Sequence, residues 1–525
     1  MGKLLLSLCF LFTFSILKSQ TFEIIEGNNT SARVQDNGLF FYDNQTGFGH
    51  YYVPKDAPYS SILAGGFWFM GHDLTDTLRA ALMTYNLGND FFRGPYSSNN
   101  SYFDQNYIDK YNPALWNISK TEIDYHRNNY WQAGYEIPLS VANWPANGDD
   151  LLGVSMNLAP FIDLNQNGIY EPLIGEYPDI RGDHLLYIIM NDARGIHTES
   201  SGAPLHSEFH FMVYQYESED EFLNNSTFIN VRVFNRGITT IRNLKIGFFT
   251  DVNLGRSFGN YFGSDSTRNM GYVYKATNFD DSLGSNPPAI GLMALGTSAT
   301  SIGLYGNLSV PFPYEEIPAL ISAWGMMNSN WNNGLPYLYG GGGYEGSIGV
   351  TDVPTNYLFS GDPELGTGWT ELNAQTTPSG RRPLIILDSV FFEPGMVYCT
   401  DWVILYSRTG DHIQNVSSLK LVADSLIDFY LSQEYSCQQV TLGLSQDNYI
   451  KLKIFPNPNN GKFFVELPDG YQSEEIIIRD LKGSVVCISA IDNDKNQPFE
   501  VNLENGVYFI SVGVNSNVTR VVIVN

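Results

Sequence analysis

The chain has 525 residues, 43% of them hydrophobic and only 16% charged, which excludes a disordered polymer and leaves length for more than one core. A formal net charge of −26 excludes nucleic acid as a partner, because phosphate binding needs basic patches. The same acidity fits divalent cations or plain colloidal solubility.

Residues 1–19 read as a secretory signal peptide. Lys3 precedes the apolar run 4–12, which is too short to span a bilayer, and Ser19 offers a small residue before a cut that leaves Gln20 first. Cys9 lies too early for a lipoprotein box, and no later apolar stretch has the length of a transmembrane helix.

The main domain is read as 20–431. The whole chain's 49 Gly, 33 Tyr and 33 Phe favour strands and turns, so the predicted class is mainly all-β with few helices. Residues 62–73 form a buried strand in which Gly65-Gly66 lets another backbone approach. Residues 102–126 hold one or two short helices, and Trp144-Pro145-Ala146-Asn147-Gly148 is a tight turn.

The sharpest chemical signal is Asp163-Leu164-Asn165-Gln166-Asn167-Gly168-Ile169-Tyr170-Glu171. Oxygen side chains at alternating positions followed by Gly make the first half of a calcium loop. Asp163, Asn165, Asn167 and Glu171 supply side-chain oxygens, and Ile169 supplies its carbonyl. The twelfth position is Ile174 rather than the bidentate Glu of an EF-hand, so the remaining ligands are sought in GEYPDIRGD, at Glu176, Asp179 or Asp183. The competing reading is an Asx-rich turn without metal. The expected role of the cation is structural.

Residues 185–190 are a continuous apolar run. Residues 206–216 alternate, placing His206, Glu208, His210, Met212 and Tyr214 on one strand face. Two His and one Glu there suit a metal triad, but a strand edge with polar side chains is the reading we favour. A second acidic stretch, Asp251, Asn253 and Asp265, is a looser cation candidate. Residues 339–344 are a Gly-rich tip flanked by Tyr, without the Lys-Ser/Thr of a phosphate loop. Residues 416–431 are the clearest helix, with Val416, Leu419, Val422, Ala423, Leu426, Ile427 and Tyr430 on one face. Residues 432–450 are a polar linker. With Cys9 removed, three Cys remain, enough for one intramolecular bridge and a free thiol.

Residues 451–525 alternate short β-type runs with turn signals at Asn459-Asn460-Gly461, Pro468-Asp469-Gly470, Lys482-Gly483 and Asn505-Gly506. The pattern predicts an immunoglobulin-like sandwich with Phe464, Ile476, Ile478, Val485, Val507 and Phe509 in its core. This segment resembles the type A C-terminal sorting domain of Bacteroidetes type IX secretion. The match rests on Pro456, Asn457 and Pro458 with Gly461, then Asp480 and Gly483 in an apolar-x-Asp-x-x-Gly turn. Gly506 and Tyr508 follow, and Arg520 holds the basic place in the last strand. The resemblance implies handling by the type IX secretion machinery, passage through the periplasm, and a secreted or outer-membrane-surface destination.

The main domain resembles a widespread group of Bacteroidetes sorting-domain surface proteins. Leu158-Ala159-Pro160-Phe161, GEYPDIRGD, Asn191-Asp192 with His197, DVNLG with GSD, YLFSGDP with Gly368-Trp369, and Arg381-Arg382 carry that likeness. Members more often have Asp where this chain has Asn167 and Asn253. The group brings no catalytic residues with it.

Two functions follow. One is a binding, adhesive or structural surface protein with a calcium-stabilised loop, presenting Trp68, Trp144, Trp331 and Trp369 to a glycan or polysaccharide. The other is a secreted polysaccharide hydrolase, for which Asp179, Asp183, Asp192 and Glu208 are the carboxylate candidates. The chain has no GxSxG elbow and no HExxH.

Overall fold

Strands that are apolar on both faces need cover on both faces, and the architecture follows from that demand. The computed structural model describes residues 22–85, 88–305, 319–433, 453–457, 459–466, 475–479, 485–490, 496–503, 505–512 and 519–523. The signal-peptide reading, most of the linker reading, and Pro458, Asp480 and Gly483 lie outside the described residues. The chain divides into two units, Met1–Leu442 and Gly443–Asn525.

The first unit is mostly antiparallel β. A nine-stranded sheet runs Asn260–Asp265, Met270–Lys275, Ala289–Leu295, Val397–Ser407, Thr227–Asn235, Ser207–Gln215, His184–Asn191, with Phe92–Arg93 and Leu115–Ser119 both pairing the last. A six-stranded sheet runs Ala299–Leu304, Pro383–Leu387, Ile241–Val252, Ile62–Asp73, Leu78–Leu82, with Val390–Phe392 also pairing Ile241–Val252. The two sheets share an aromatic core. Phe67 stacks on Phe248 at 4.1 Å and meets Phe211 at 5.3 Å and Trp402 at 5.7 Å. Phe69 meets Phe209 at 4.7 Å. Such pairs add about 0.5–1.5 kcal/mol each beyond the area they bury.

The run 185–190 needs no polar positions because alternate residues enter two cores. Leu186, Ile188 and Met190 face the other sheet, while Leu185, Tyr187 and Ile189 face outward into a second cluster. Helices help to close that cluster, among them α1 (Lys120–Asn129) and α2 (Gln414–Ser432). The predicted apolar face of α2 is the one that packs: Val416, Leu419, Ala423 and Leu426 are buried. Arg268 holds Asp424 with two hydrogen bonds of 2.7 and 2.8 Å, and Lys420 holds Asp362 at 2.6 Å, fixing the helix against the sheet. Cys399 is disulfide-bonded, whereas Cys487 is free.

The second unit contains a three-stranded sheet, Lys453–Phe455, Lys462–Glu466 and Asn496–Glu500. Its four-stranded sheet runs Val485–Ala490, Glu475–Arg479, Gly506–Val512, Thr519–Ile523. Its core holds Phe463, Val465, Ile476, Ile478, Phe499, Tyr508 and Ile510. Two core expectations fail. Phe464 is 40% exposed and stacks on Phe455 on the outer face, and Val485 is 46% exposed. With a side-chain period of two, an inward Phe463 and Val465 force Phe464 outward. The side chains of Val507 and Phe509 lie outside the described ones.

Candidate functional site

The outward-facing chemistry of the first unit gathers at one corner, built by α1 and the loop 161–178. Ser119 starts α1 with a capping box: its Oγ accepts from Glu122 N at 3.3 Å, and Glu122 Oε2 accepts from Ser119 N at 2.9 Å. Glu122 Oε1 takes the Ser140 hydroxyl at 2.8 Å. His126, in the last turn, is sealed from solvent. Its Nδ1 lies 2.7 Å from the Tyr135 hydroxyl and its Nε2 3.0 Å from the Glu176 carbonyl oxygen. Burial holds the imidazole below its usual value. The imidazole thereby ties the helix to the loop.

The loop folds around its acids. Asp163 Oδ1 accepts from Gln166 N at 2.6 Å and Asn167 N at 3.3 Å, and its Oδ2 from Gly168 N at 2.7 Å. Burial alone raises this carboxyl, but the three backbone donors outweigh it and the net direction is down. Asn165 Oδ1 accepts from Asn167 N, and Asn167 Oδ1 from Ile169 N, at 3.0 and 2.7 Å. Both Asn side chains donate to Glu171 Oε2, at 2.9 and 2.6 Å. Gly168 takes φ +75°, as the sharp turn requires. Beneath the loop Glu176, fully buried, accepts from Leu164 N and Glu171 N at 3.2 and 2.7 Å. The turn at Trp144–Gly148 buttresses it: Asn147 accepts from Tyr170 N and donates to the Gly168 carbonyl, at 2.7 and 2.9 Å.

Asp163, Asn165, Asn167, Ile169 and Glu171 are therefore brought together, with Glu176 below. Asp179 and Asp183 stand outside that network. Asp183 accepts from Glu217 N at 3.0 Å and lies 3.6 Å from Lys120 Nζ, and the Asp179 side chain faces solvent. Among the described residues no three His, Cys, Asp or Glu side chains converge as a metal cluster.

The other carboxylate candidates are interior. Glu208 has no exposed surface. Its Oε1 accepts from Arg236 Nε and Nη2 at 3.1 and 2.7 Å and lies 3.1 Å from His210 Nε2, and its Oε2 accepts from Tyr96 N at 2.8 Å. Burial alone would raise this carboxyl, but Arg236 and His210 hold it at about 2. A guanidinium thus occupies the place where the His206/Glu208/His210 face would have held a metal. His206 itself precedes the strand, at φ 57°. Asp192 is fully buried, accepts from Leu205 N and Ser207 N, and lies 3.9 Å from His197. Burial pushes it up to about 6 against the pull of His197. Neither Asp192 nor Glu208 can meet a polymer from inside a sealed core.

The second acidic stretch does not converge. Asp251 accepts from Arg382 Nε and the Tyr85 hydroxyl, both at 2.8 Å, whereas Asp265 accepts from the Thr267 hydroxyl at 2.6 Å and from Arg268 at 2.7 Å. Each acid already has its own cation, so no shared ion holds them.

The four Trp expected to face a glycan are all core residues. Trp68, Trp144, Trp331 and Trp369 are at most 4% exposed, and each indole N–H donates to a backbone carbonyl. Trp331 and Trp369 bond Gly343 and Gly341 and so pin the Gly-rich tip. Of eight Trp, only Trp131 is exposed, at 64%, and it sits just after α1. No periodicity marks it, because it lies in a turn.

In the second unit, Gly461 stands at φ +87°. A Cβ there would sit 2.4 Å from the Val501 carbonyl oxygen, so the turn that opens the motif needs glycine. Asn459 Oδ1 accepts from Gly461 N at 2.8 Å. Gly506 and Tyr508 lie opposite Ile523 and Val521, and Arg520 opposite Phe509. Pro456 and Asn457 face solvent at the turn's entry.

Comparison with known proteins agrees at this end of the chain. Residues 453–525 match the family model described as a secretion system C-terminal sorting domain. No curated protein matches the chain. Among solved structures, a polysaccharide lyase is 9% identical with a TM-score of 0.20, covering 70% of this chain. The chain spans about two fifths of that lyase, 39% of its length. A putative aldose 1-epimerase from Escherichia coli K12 is 9% identical with a TM-score of 0.24, covering 74% of this chain and 100% of its own. The BSP domain of a biofilm-associated protein is 9% identical with a TM-score of 0.13, covering 97% of this chain and 81% of its own. Likeness this low carries nothing about fold or activity. In the described residues no helix is long and apolar enough to cross a membrane. The family match and the motif geometry agree: residues 453–525 are a secretion-system C-terminal sorting domain, and the chain is a cargo of type IX secretion, exported to the cell surface or the extracellular space.

Proposed function

We propose that the first unit is a surface-displayed binding or structural protein with an adhesive role, and that calcium pins its loop at 163–171. One observation carries the reading. Of the four carboxylates a hydrolase could use, Asp192 and Glu208 are sealed and matched to His197 and Arg236, while the oxygen-rich loop faces outward. Asp163, Asn165, Asn167 and Glu171 would offer side-chain oxygens and Ile169 its carbonyl, the donor set a hard cation prefers. Glu176 would stay below as the anchor for the amides of Leu164 and Glu171. The test is to incubate the exported chain with insoluble polysaccharides and read released sugar. Release would overturn this reading in favour of a hydrolase. Calcium is tested by melting in calcium against chelator.

A further inference from the structure

We propose that Trp131, in a turn whose nearest polar side chains are the neutral amides of Asn129 and Gln132, is a stacking platform for a neutral glycan. The proposal rests on the reading of the first unit as a binding protein, and it names the ligand class.

The ring is exposed yet held in place. It meets Tyr130 edge-on at 4.9 Å and 84°, and Tyr130 in turn covers Gly175, where a Cβ would lie 2.5 Å from the phenol ring. Backbone bonds Tyr130 N to His126 O, Gln132 N to Asn129 O and Tyr135 N to Gln132 O close the turn that carries it. From Trp131 a chain of rings runs inward and out again. Tyr130 meets His126 at 5.9 Å, His126 meets Tyr135 at 5.8 Å, and Tyr135 meets Tyr125 at 5.7 Å. Both ends are open, Trp131 at 64% and Tyr125 at 49%. Folding gains little from an indole left in water, whereas a flat apolar face with a polar edge matches the apolar face of a pyranose.

The surroundings select the ligand. Gln132 Nε2 donates to Asn129 Oδ1 at 2.9 Å and to the Asn128 carbonyl at 3.3 Å, and Asn129 Nδ2 to the Tyr125 carbonyl at 2.6 Å, so the turn that carries the ring is held by neutral amides. Of the charges nearest in sequence, Arg127 pairs with Asp124 at 3.3 Å and lies over the Tyr177 ring at 4.8 Å, and Glu136, five residues after Trp131, adds a negative charge. With a net charge of −26, the chain repels acidic polysaccharide and nucleic acid. Hydroxyl-rich uncharged sugar is the class that these contacts fit.

The experiment uses the full exported chain, with cellulose, insoluble starch and mannan as neutral probes and alginate gel as the acidic one. Depletion isotherms compare the native chain with Trp131→Ala, Trp131→Phe and Ile238→Ala. Ile238 is an exposed residue of an unrelated turn. We expect retention on a neutral probe, about tenfold weaker in Trp131→Ala. Trp131→Phe should be intermediate, Ile238→Ala unchanged, and melting temperatures equal. Undiminished binding by Trp131→Ala, retention on alginate alone, or no retention on any probe overturns the platform. Sugar released in the same supernatants would overturn the binding reading itself, whatever Trp131 does.

Discussion

Arg236→Met tests how the large sheet tolerates charge. Glu208 has no exposed side-chain surface and the Arg236 side chain only 13%. Burial pushes the Glu208 carboxyl up, yet Arg236 and His210 bring it from 4.5 to about 2. That drop is worth ~3 kcal/mol of preference for the charged form. Because the folded value lies below the unfolded one, the stabilisation is complete above about pH 4.5 and is lost as pH falls through about 2. Methionine keeps some packing on the Phe234 ring, which the guanidinium now covers at 4.7 Å, but leaves a buried carboxylate without its cation. The expected cost is about 3–5 kcal/mol at pH 7. Glu208→Gln in the same background should recover part of it, since an amide needs no counter-charge. All eight Trp lie in the first unit, so indole fluorescence during urea unfolding reads that unit alone. A loss below ~1 kcal/mol, or a second substitution that only adds damage, would refute the reasoning.

Glu199, pushed up to about 7 by burial and the Asp90 charge, keeps its proton in the folded state below about pH 7. Stability should therefore fall as pH rises from about 4.5 to about 7, and Glu199→Gln should flatten that fall in melting curves. Asp192, at about 6, leaves some slope behind, but an unchanged slope would exclude Glu199 as a contributor. Calcium should raise the melting temperature of the first unit, and Asp163→Ala should abolish the rise; identical melts in calcium and in chelator sink the cation. Deleting 453–525 should trap the chain in the periplasm, and normal surface delivery of the truncated chain would contradict the sorting role. Gly461→Ala should destabilise the second unit by at least ~1 kcal/mol, since φ +87° and the Val501 carbonyl both oppose a Cβ; unfolding at the native midpoint would show the turn adapts.

Local patterns were legible wherever one residue's surroundings depend on its near neighbours. The alternation over 206–216 became the strand Ser207–Gln215, and the apolar stripe over 416–431 became Gln414–Ser432. The Asp163 loop was visible because its bonds span only two to five positions. The burial of Trp144 and Trp369 was not visible, since it depends on which distant segment covers them, as Tyr187 does for Trp144. The register of Phe463 and Phe464 was also hidden, because two adjacent Phe satisfy either phase of an alternating strand.

The carboxylates show why function was harder to read than fold. In sequence Glu208 sits between two His and looks like metal or acid chemistry, but its partner Arg236 is 28 residues away, on the far side of a hairpin. Asp401 meets Arg181 across 220 positions, and Asp251 meets Arg382 across 131. Each pairing replaces a water shell with a fixed counter-charge, so the acid that looks most catalytic in the chain is the one the fold has neutralised. A buried acid needs such a partner to stay charged, whereas an acid or an aromatic ring at the surface needs none. The Asp163 loop, whose acids are held by its own amides, and Trp131 are therefore the groups at the α1 corner that stay within reach of an outside ligand.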